Sequence, residues 1–303
     1  MHYHIVDIFF VQESSFSNSG GNKPLLLLEK LQCGWLNQFQ DKLIYIFRND
    51  TPTEGFENGV LADADMRRFI SREGLNLVPG IEKDDLFIYN DGDELISSEI
   101  LLFLKLYDGI PNIIAIKYIW AIYGFFWRIQ EFVFPHQKHF EPAVLTMQFF
   151  RDFYNCDASQ IRSANYLVQT TKVELYKKQK KEIGPLNVIN GGWHCSWCFT
   201  PQGIRQKLID APKSDYPRFG DFPGKTDVSY IRKLIKEGVY FDLSRFRNTS
   251  EISLSQDPAY APPFIIQNKE RFHYLLLNPY TITGKPQFTT ANTNGSFQIQ
   301  TNS

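Results

Sequence analysis

Leu86-Phe87-Ile88-Tyr89 runs directly into Asn90-Asp91-Gly92-Asp93-Glu94, an apolar strand pattern that breaks into an acidic turn. Two earlier segments have the same apolar character: Ile5-Val6-Asp7-Ile8-Phe9-Phe10-Val11, within His4 to Gln12, and Leu43 to Arg48. Short apolar runs closed by turn residues read as buried strands. Between the second and third lies Val60 to Ile70, with Asp63 and Asp65 early and Arg67 and Arg68 late, the charge order a helix dipole favours. The strand–helix–strand rhythm predicts an α/β fold with a mainly parallel central sheet covered on both faces. Ligands of such sheets gather beyond the carboxyl ends of the strands, where Asp91 and Asp93 stand.

Farther along, Ile113 to Trp127 reads as buried strand and helix; interrupted by Lys117, it falls short of the run of about 20 apolar residues that spans a bilayer. Helical patterns cover about Ala143 to Tyr154, Pro201 to Asp210 and Ser229 to Glu237. Nothing separates two domains, so residues 1–280 are expected to form one domain. Residues 281–303 are mostly Thr, Asn, Gln, Gly and Ser, too poor in large apolar side chains to offset ordering entropy, and are expected to be a disordered tail.

With 43% hydrophobic residues and a net charge of -1, the 303-residue chain has an ordinary globular composition and no overall electrostatic footprint for a nucleic acid polymer. The 26 Phe and 15 Tyr suit sugar binding, although a Phe-rich core explains most of that surplus. Met1-His2-Tyr3-His4 has neither the basic nor the long apolar region of a signal peptide. Four cysteines, Cys33, Cys156, Cys195 and Cys198, are too few for a disulfide scaffold but enough for one or two bridges.

Three segments carry candidate chemistry. If strand geometry persists past Tyr89, alternation points Asp91 and Asp93 to the same side, where two carboxylates can meet one hard cation. The competing reading of Asn-Asp-Gly-Asp is ordinary turn chemistry. An EF-hand loop is excluded, because Leu95 stands where a further acidic ligand belongs. The second segment, Gly192-Trp193-His194-Cys195-Ser196-Trp197-Cys198-Phe199, offers too few ligands for a structural zinc site, and a disulfide or buried thiols beside core tryptophans suits it better. In the third, Pro217-Arg218-Phe219-Gly220-Asp221, Arg218 can pair with phosphate and Asp221 can take a proton from a sugar hydroxyl; the plainer reading is a surface turn with an Arg–Asp ion pair.

Taken together, the segments resemble glycosyltransferase family 17. The likeness runs through Glu13-Ser14-Ser15-Phe16, Lys23-Pro24-Leu25, Asp91-Gly92-Asp93-Glu94, Leu102-Phe103-Leu104-Lys105-Leu106-Tyr107-Asp108-Gly109 and Tyr123-Gly124-Phe125-Phe126-Trp127. It continues through Gly192 to Pro201, Pro217 to Asp221, and Arg271-Phe272-His273-Tyr274-Leu275-Leu276 ending at Asn278-Pro279-Tyr280. The resemblance implies a Rossmann-like, GT-A-type nucleotide-sugar fold in which N-acetylglucosamine passes, with inversion, from UDP-N-acetylglucosamine to the β-linked mannose of an N-linked glycoprotein. It implies a divalent metal, manganese, held by Asp91 and Asp93, with Asp221 as base. Donor contacts are then expected from Glu13, Lys23 and Arg218, and sugar contacts from Trp193, His194 and Trp197. The setting it implies is the Golgi, with membrane attachment through an anchor upstream of the matching segment; family members also carry a further strand there, so the sheet is expected to lack its first strand. Two competing functions are a glycan-binding relative without transfer and a metal-dependent phosphohydrolase.

Overall fold

The computed structural model describes residues 1–49, 59–129, 141–161, 186–212, 217–243 and 249–280. The expected polar tail over 281–303 lies outside them.

The strand expected over His4 to Gln12 begins only at Phe9, as β1 (Phe9–Ser14), which pairs in parallel with β2 (Leu43–Arg48) from Phe9 opposite Leu43 to Ser14 opposite Arg48. A parallel pair needs a crossover, and α1 (Leu26–Gln32) lies on it. Helix α2 (Gly59–Asn76) follows and packs on this small sheet. Gly74 permits the approach, since a Cβ there would stand 2.8 Å from the Phe10 ring. The buried Arg48 at the end of β2 pairs with Asp65 of α2 at 2.5 Å.

The remaining strands make a seven-stranded sheet: β3 (Leu86–Ile88), β4 (Glu94–Ile96), β5 (Ile113–Ile122), β6 (Gly124–Ile129), β7 (Glu141–Thr146), β8 (Leu186–Ser196) and β9 (Thr249–Glu251). The expectation of a mainly parallel sheet fails here. Among the described residues β5 and β8 pair in parallel, whereas β3–β7, β4–β8, β5–β6, β5–β7 and β6–β9 are antiparallel. The physical reason is that an apolar run marks a strand as buried but leaves the direction of its neighbour open, and where the chain reverses within a residue or two the neighbour must be antiparallel. The run from Ile113 to Trp127 illustrates this. Tyr123 takes a left-handed φ of 65° and the chain doubles back, so the expected strand and helix are two strands, β5 and β6. The helix expected from Ala143 likewise begins as β7 and becomes helical only at α4 (Met147–Tyr154), behind a Thr146 cap that accepts from the Phe149 N–H at 3.4 Å.

Helices cover both faces of β5. Alternation sends Ile113 to a cluster with Phe149, Phe150 and Tyr154 of α4, and sends Ile114 and Ile116 to one with Leu101 and Leu104 of α3 (Ser98–Leu106). The largest cluster joins Ile119, Ile122 and Phe125 of the β5–β6 pair to α5 (Pro201–Ile209) and α6 (Val228–Glu237) through Ile204, Leu208, Ile231 and Leu234. The described chain ends with α7 (Pro263–Gln267) and α8 (Lys269–Leu276), whose Leu275 and Leu276 close the same cluster.

Candidate active site

The strand geometry expected through the two aspartates stops at Ile88. Asp91 to Glu94 form a turn, with the Glu94 N–H donating to the Asp91 carbonyl at 3.0 Å, so the alternation argument does not apply to them. Beyond the turn, β4 lies antiparallel on β8 with Glu94 opposite His194, Leu95 opposite Trp193 and Ile96 opposite Gly192. The Cys195 N–H donates to the Asp93 carbonyl at 2.9 Å, extending the ladder to the turn. Gly192 makes the pairing possible: a Cβ there would sit 2.1 Å from the Leu95 carbonyl oxygen. Two segments about a hundred residues apart in the sequence thereby become one site.

The cross-strand neighbours of His194 fix its ring. On the other edge of β8, Trp120 of β5 stands opposite His194, with the rings stacked at 4.5 Å between centroids and 15° between planes. The Trp120 indole N–H donates to Ser196 Oγ at 2.8 Å, and that oxygen lies 3.2 Å from His194 Nε2. Asp93 Oδ1 is 3.7 Å from the same nitrogen, and Glu94 Oε1 is 3.9 Å from Nδ1. Burial acts to raise the Asp93 carboxyl, but His194 and then Lys207 outweigh it and hold the group below its ordinary value.

Asp91 has a separate set of partners. Tyr89 Oη donates to its Oδ1 at 2.8 Å, and Arg67 Nη2 reaches Oδ2 at 3.2 Å while also pairing with Asp63 at 2.8 Å. Among the described residues no group of three or more His, Cys, Asp and Glu side chains forms a metal cage. A magnesium-like ion is nevertheless held by one or two carboxylates together with substrate phosphates. That mode fits Asp93, whose oxygens lie 3.7 Å from His194 and 3.6 Å from Lys207, better than Asp91, whose oxygens accept from Tyr89 and Arg67.

Cys195 and Cys198 are joined in a disulfide. The bridge closes a turn in which Trp197 takes a left-handed φ of 58° and the Phe199 N–H donates to the Trp197 carbonyl at 2.8 Å. Trp197 packs edge-on against Phe241. Lys207 of α5 crosses this turn, its Nζ 5.0 Å from the Trp197 ring centroid, 5.4 Å from that of Phe199 and 3.6 Å from Asp93 Oδ2. Nothing in the sequence singled out Lys207, Arg67 or Trp120; each reads as ordinary helix charge or strand aromatic, and their meeting depends on the ladder.

The other expected site residues have distinct settings. Trp193 is buried in the largest core cluster, its indole N–H donating to the Ala259 carbonyl at 2.9 Å. Glu13 is buried, and its carboxylate accepts from the Leu27 and Leu28 N–H groups at 2.9 and 3.0 Å and from Tyr45 Oη at 2.9 Å, so it holds the start of α1; Lys23 lies close enough to act on its charge. Arg218 donates to the carbonyls of Ala211 at 3.0 Å and Ile209 at 2.6 Å, holding the end of α5, and pairs with Asp221. Arg218 and the exposed Asp221 border a cavity of about 550 Å³ together with Ser19 and Gly21 of the loop after β1. Helix α5 links the two regions, since Lys207 in its last turn faces Asp93 and the Ile209 carbonyl is held by Arg218.

Comparison with known proteins adds to this geometry. The sequence model described as Glycosyltransferase family 17 matches residues 2–140. Beta-1,4-mannosyl-glycoprotein 4-beta-N-acetylglucosaminyltransferase of Homo sapiens is 35% identical over 292 residues, which cover 91% of this chain and 51% of the relative. The chain is similar to glycosyltransferase family 17 over its first 140 residues. The protein of that name from Mus musculus is 34% identical over the same shares of the two chains. The chain spans about half the length of the curated relatives it matches. No solved structure matches it. Among the described residues no helix is long and apolar enough to cross a membrane.

Proposed function

We propose that this chain transfers N-acetylglucosamine from UDP-N-acetylglucosamine to the β-linked mannose of an N-glycan on a glycoprotein. The observation that carries the proposal is the β4–β8 ladder, which brings Asp93 and Glu94 to His194 beside the disulfide-closed turn. Two stretches of the family likeness are thus joined into one polar cluster. The name of the human relative supports the choice of sugar and acceptor. The disulfide supports a secretory setting, here the Golgi lumen, where such bonds persist. In this reading the scaffold is a GT-A-type nucleotide-sugar fold, with β1, α1 and β2 as its parallel part and the rest carried on the mixed sheet.

In the mechanism, the mannose hydroxyl attacks the anomeric carbon from the side opposite UDP, the bond to the diphosphate oxygen breaks, and an α-linked donor becomes a β-glycoside. Asp221, exposed at the cavity, is the carboxylate we assign to accept the hydroxyl proton. His194, fixed by Trp120 and Ser196, and Trp197, whose ring borders the same cluster, are the assigned sugar contacts, and Lys23 is assigned to the donor. Asp93 would hold a divalent cation, manganese in this proposal, with Asp91 kept beside it by Tyr89 and Arg67. Such an ion, when bound, supplies positive charge that offsets the departing diphosphate.

The test is incubation with UDP-N-acetylglucosamine, manganese and a biantennary N-glycan, followed by mass spectrometry. A gain of one N-acetylhexosamine on the glycan, lost in Asp93→Asn, is the expected result. Glycan binding without transfer, or release of inorganic phosphate rather than UDP, would contradict the proposal.

A further inference from the structure

Lys207 has a setting that ordinary surface lysines lack. Its ammonium lies 3.6 Å from Asp93 Oδ2, longer than the roughly 2.7–2.9 Å of a charge-assisted hydrogen bond. Among the described residues no protein group accepts a hydrogen bond from it; its neighbours are that carboxylate and the faces of Trp197 and Phe199. Aromatic faces attract a cation without consuming its N–H groups. The Lys207 side chain is 43% exposed, so the amine stands beside Asp93 with its donors open to solvent and to a ligand.

The placement is built by the fold on three sides. The Cys195–Cys198 bridge closes the turn that presents the two rings. The start of α5 is held by the Thr200 cap, which accepts from the Gly203 N–H at 3.3 Å, and its end by Arg218. The β4–β8 ladder sets Asp93 opposite.

We propose that Lys207 binds the diphosphate of the sugar nucleotide, donating N–H groups to phosphate oxygens and offsetting the charge left on UDP when the bond between the sugar and the diphosphate breaks. The inference rests on the transferase reading above and adds to it a leaving-group residue. Phosphate is the chemistry that matches the site: a compact cation with three donors, backed by apolar rings and next to a carboxylate suited to a divalent ion.

Calorimetric titration of the full chain with UDP and with uridine, in manganese buffer, separates the outcomes. Lys207→Gln is expected to weaken UDP binding by roughly 10- to 100-fold, the equivalent of one charged hydrogen bond, while uridine binding and the melting temperature stay at wild-type values. Lys207→Arg is expected to keep most of the UDP affinity. Equal UDP affinity in Lys207→Gln and wild type overturns the inference, as does an equal loss for UDP and uridine, which would mark a structural role. A wild-type chain that binds neither ligand overturns the transferase reading and this inference together, whereas wild-type UDP binding with an inert Lys207→Gln removes this inference alone.

Discussion

Gly192→Ala is the substitution that most severely tests how the site is assembled. An alanine Cβ would fall 2.1 Å from the Leu95 carbonyl oxygen and 2.9 Å from Ile96 Cα. Both atoms are backbone, so no rotamer change relieves the clash and β4 must move off β8. That movement breaks the three-pair ladder and the contacts from Cys195 N–H to Asp93 O and from Ser97 N–H to Gly191 O. Two or three backbone hydrogen bonds lost, at roughly 0.5–1.5 kcal/mol each, and partial exposure of the fully buried Ile96 add up to about 2–5 kcal/mol. That is a large share of the roughly 5–15 kcal/mol that stabilises a typical domain. The control is Gly92→Ala, in the turn between the two aspartates, where a Cβ would meet nothing within 4 Å and φ is not left-handed. It is expected to stay within about 0.5 kcal/mol of wild type. Urea unfolding followed by tryptophan fluorescence reads both variants. Equal stability of Gly192→Ala and Gly92→Ala would refute the close packing of β4 on β8.

Two further predictions concern single contacts. Replacing Cys195 and Cys198 by serine removes a short cross-link whose chain-entropy contribution is roughly 2 kcal/mol; the melting temperature of the wild type should fall with added reductant to meet that of the double variant, which should not respond to reductant. For Glu13, burial acts to raise the carboxyl, but the Leu27 and Leu28 N–H groups and Tyr45 outweigh it and leave the group below its ordinary value. Its contribution to stability is therefore full above the unfolded carboxyl value and is lost as pH falls through the lower folded one. Glu13→Gln should cost about 1–2 kcal/mol at neutral pH and make stability less steep in acid, as measured by urea melts across that range; an unchanged acid slope would contradict the capping role.

Elements whose structure is decided by local chemistry are legible in the sequence. Leu43 to Arg48 is β2 over its whole length, and the capped helices beginning at Pro201 and Val228 lie close to their expected spans. Strand direction was not legible, because an apolar run marks burial but not the partner beside it. Ile113 to Trp127 reads as part helix because both strands are continuously apolar, and the reversal at Tyr123 depends on a left-handed φ that tyrosine rarely adopts. At the site, the acidic turn and the Trp-His-Cys block stood out as residues, but their union did not, since it depends on a ladder formed across a long sequence separation. Glu13 and Arg218 carried the charges expected of ligand contacts, while their polar atoms hold helix ends.

A crystal structure of the chain with UDP and manganese tests the central claim most directly, because it locates the diphosphate. The account predicts phosphate oxygens beside Asp93 and Lys207, under the turn closed by Cys195 and Cys198. A diphosphate seated elsewhere, with the Asp93 cluster untouched, would contradict it.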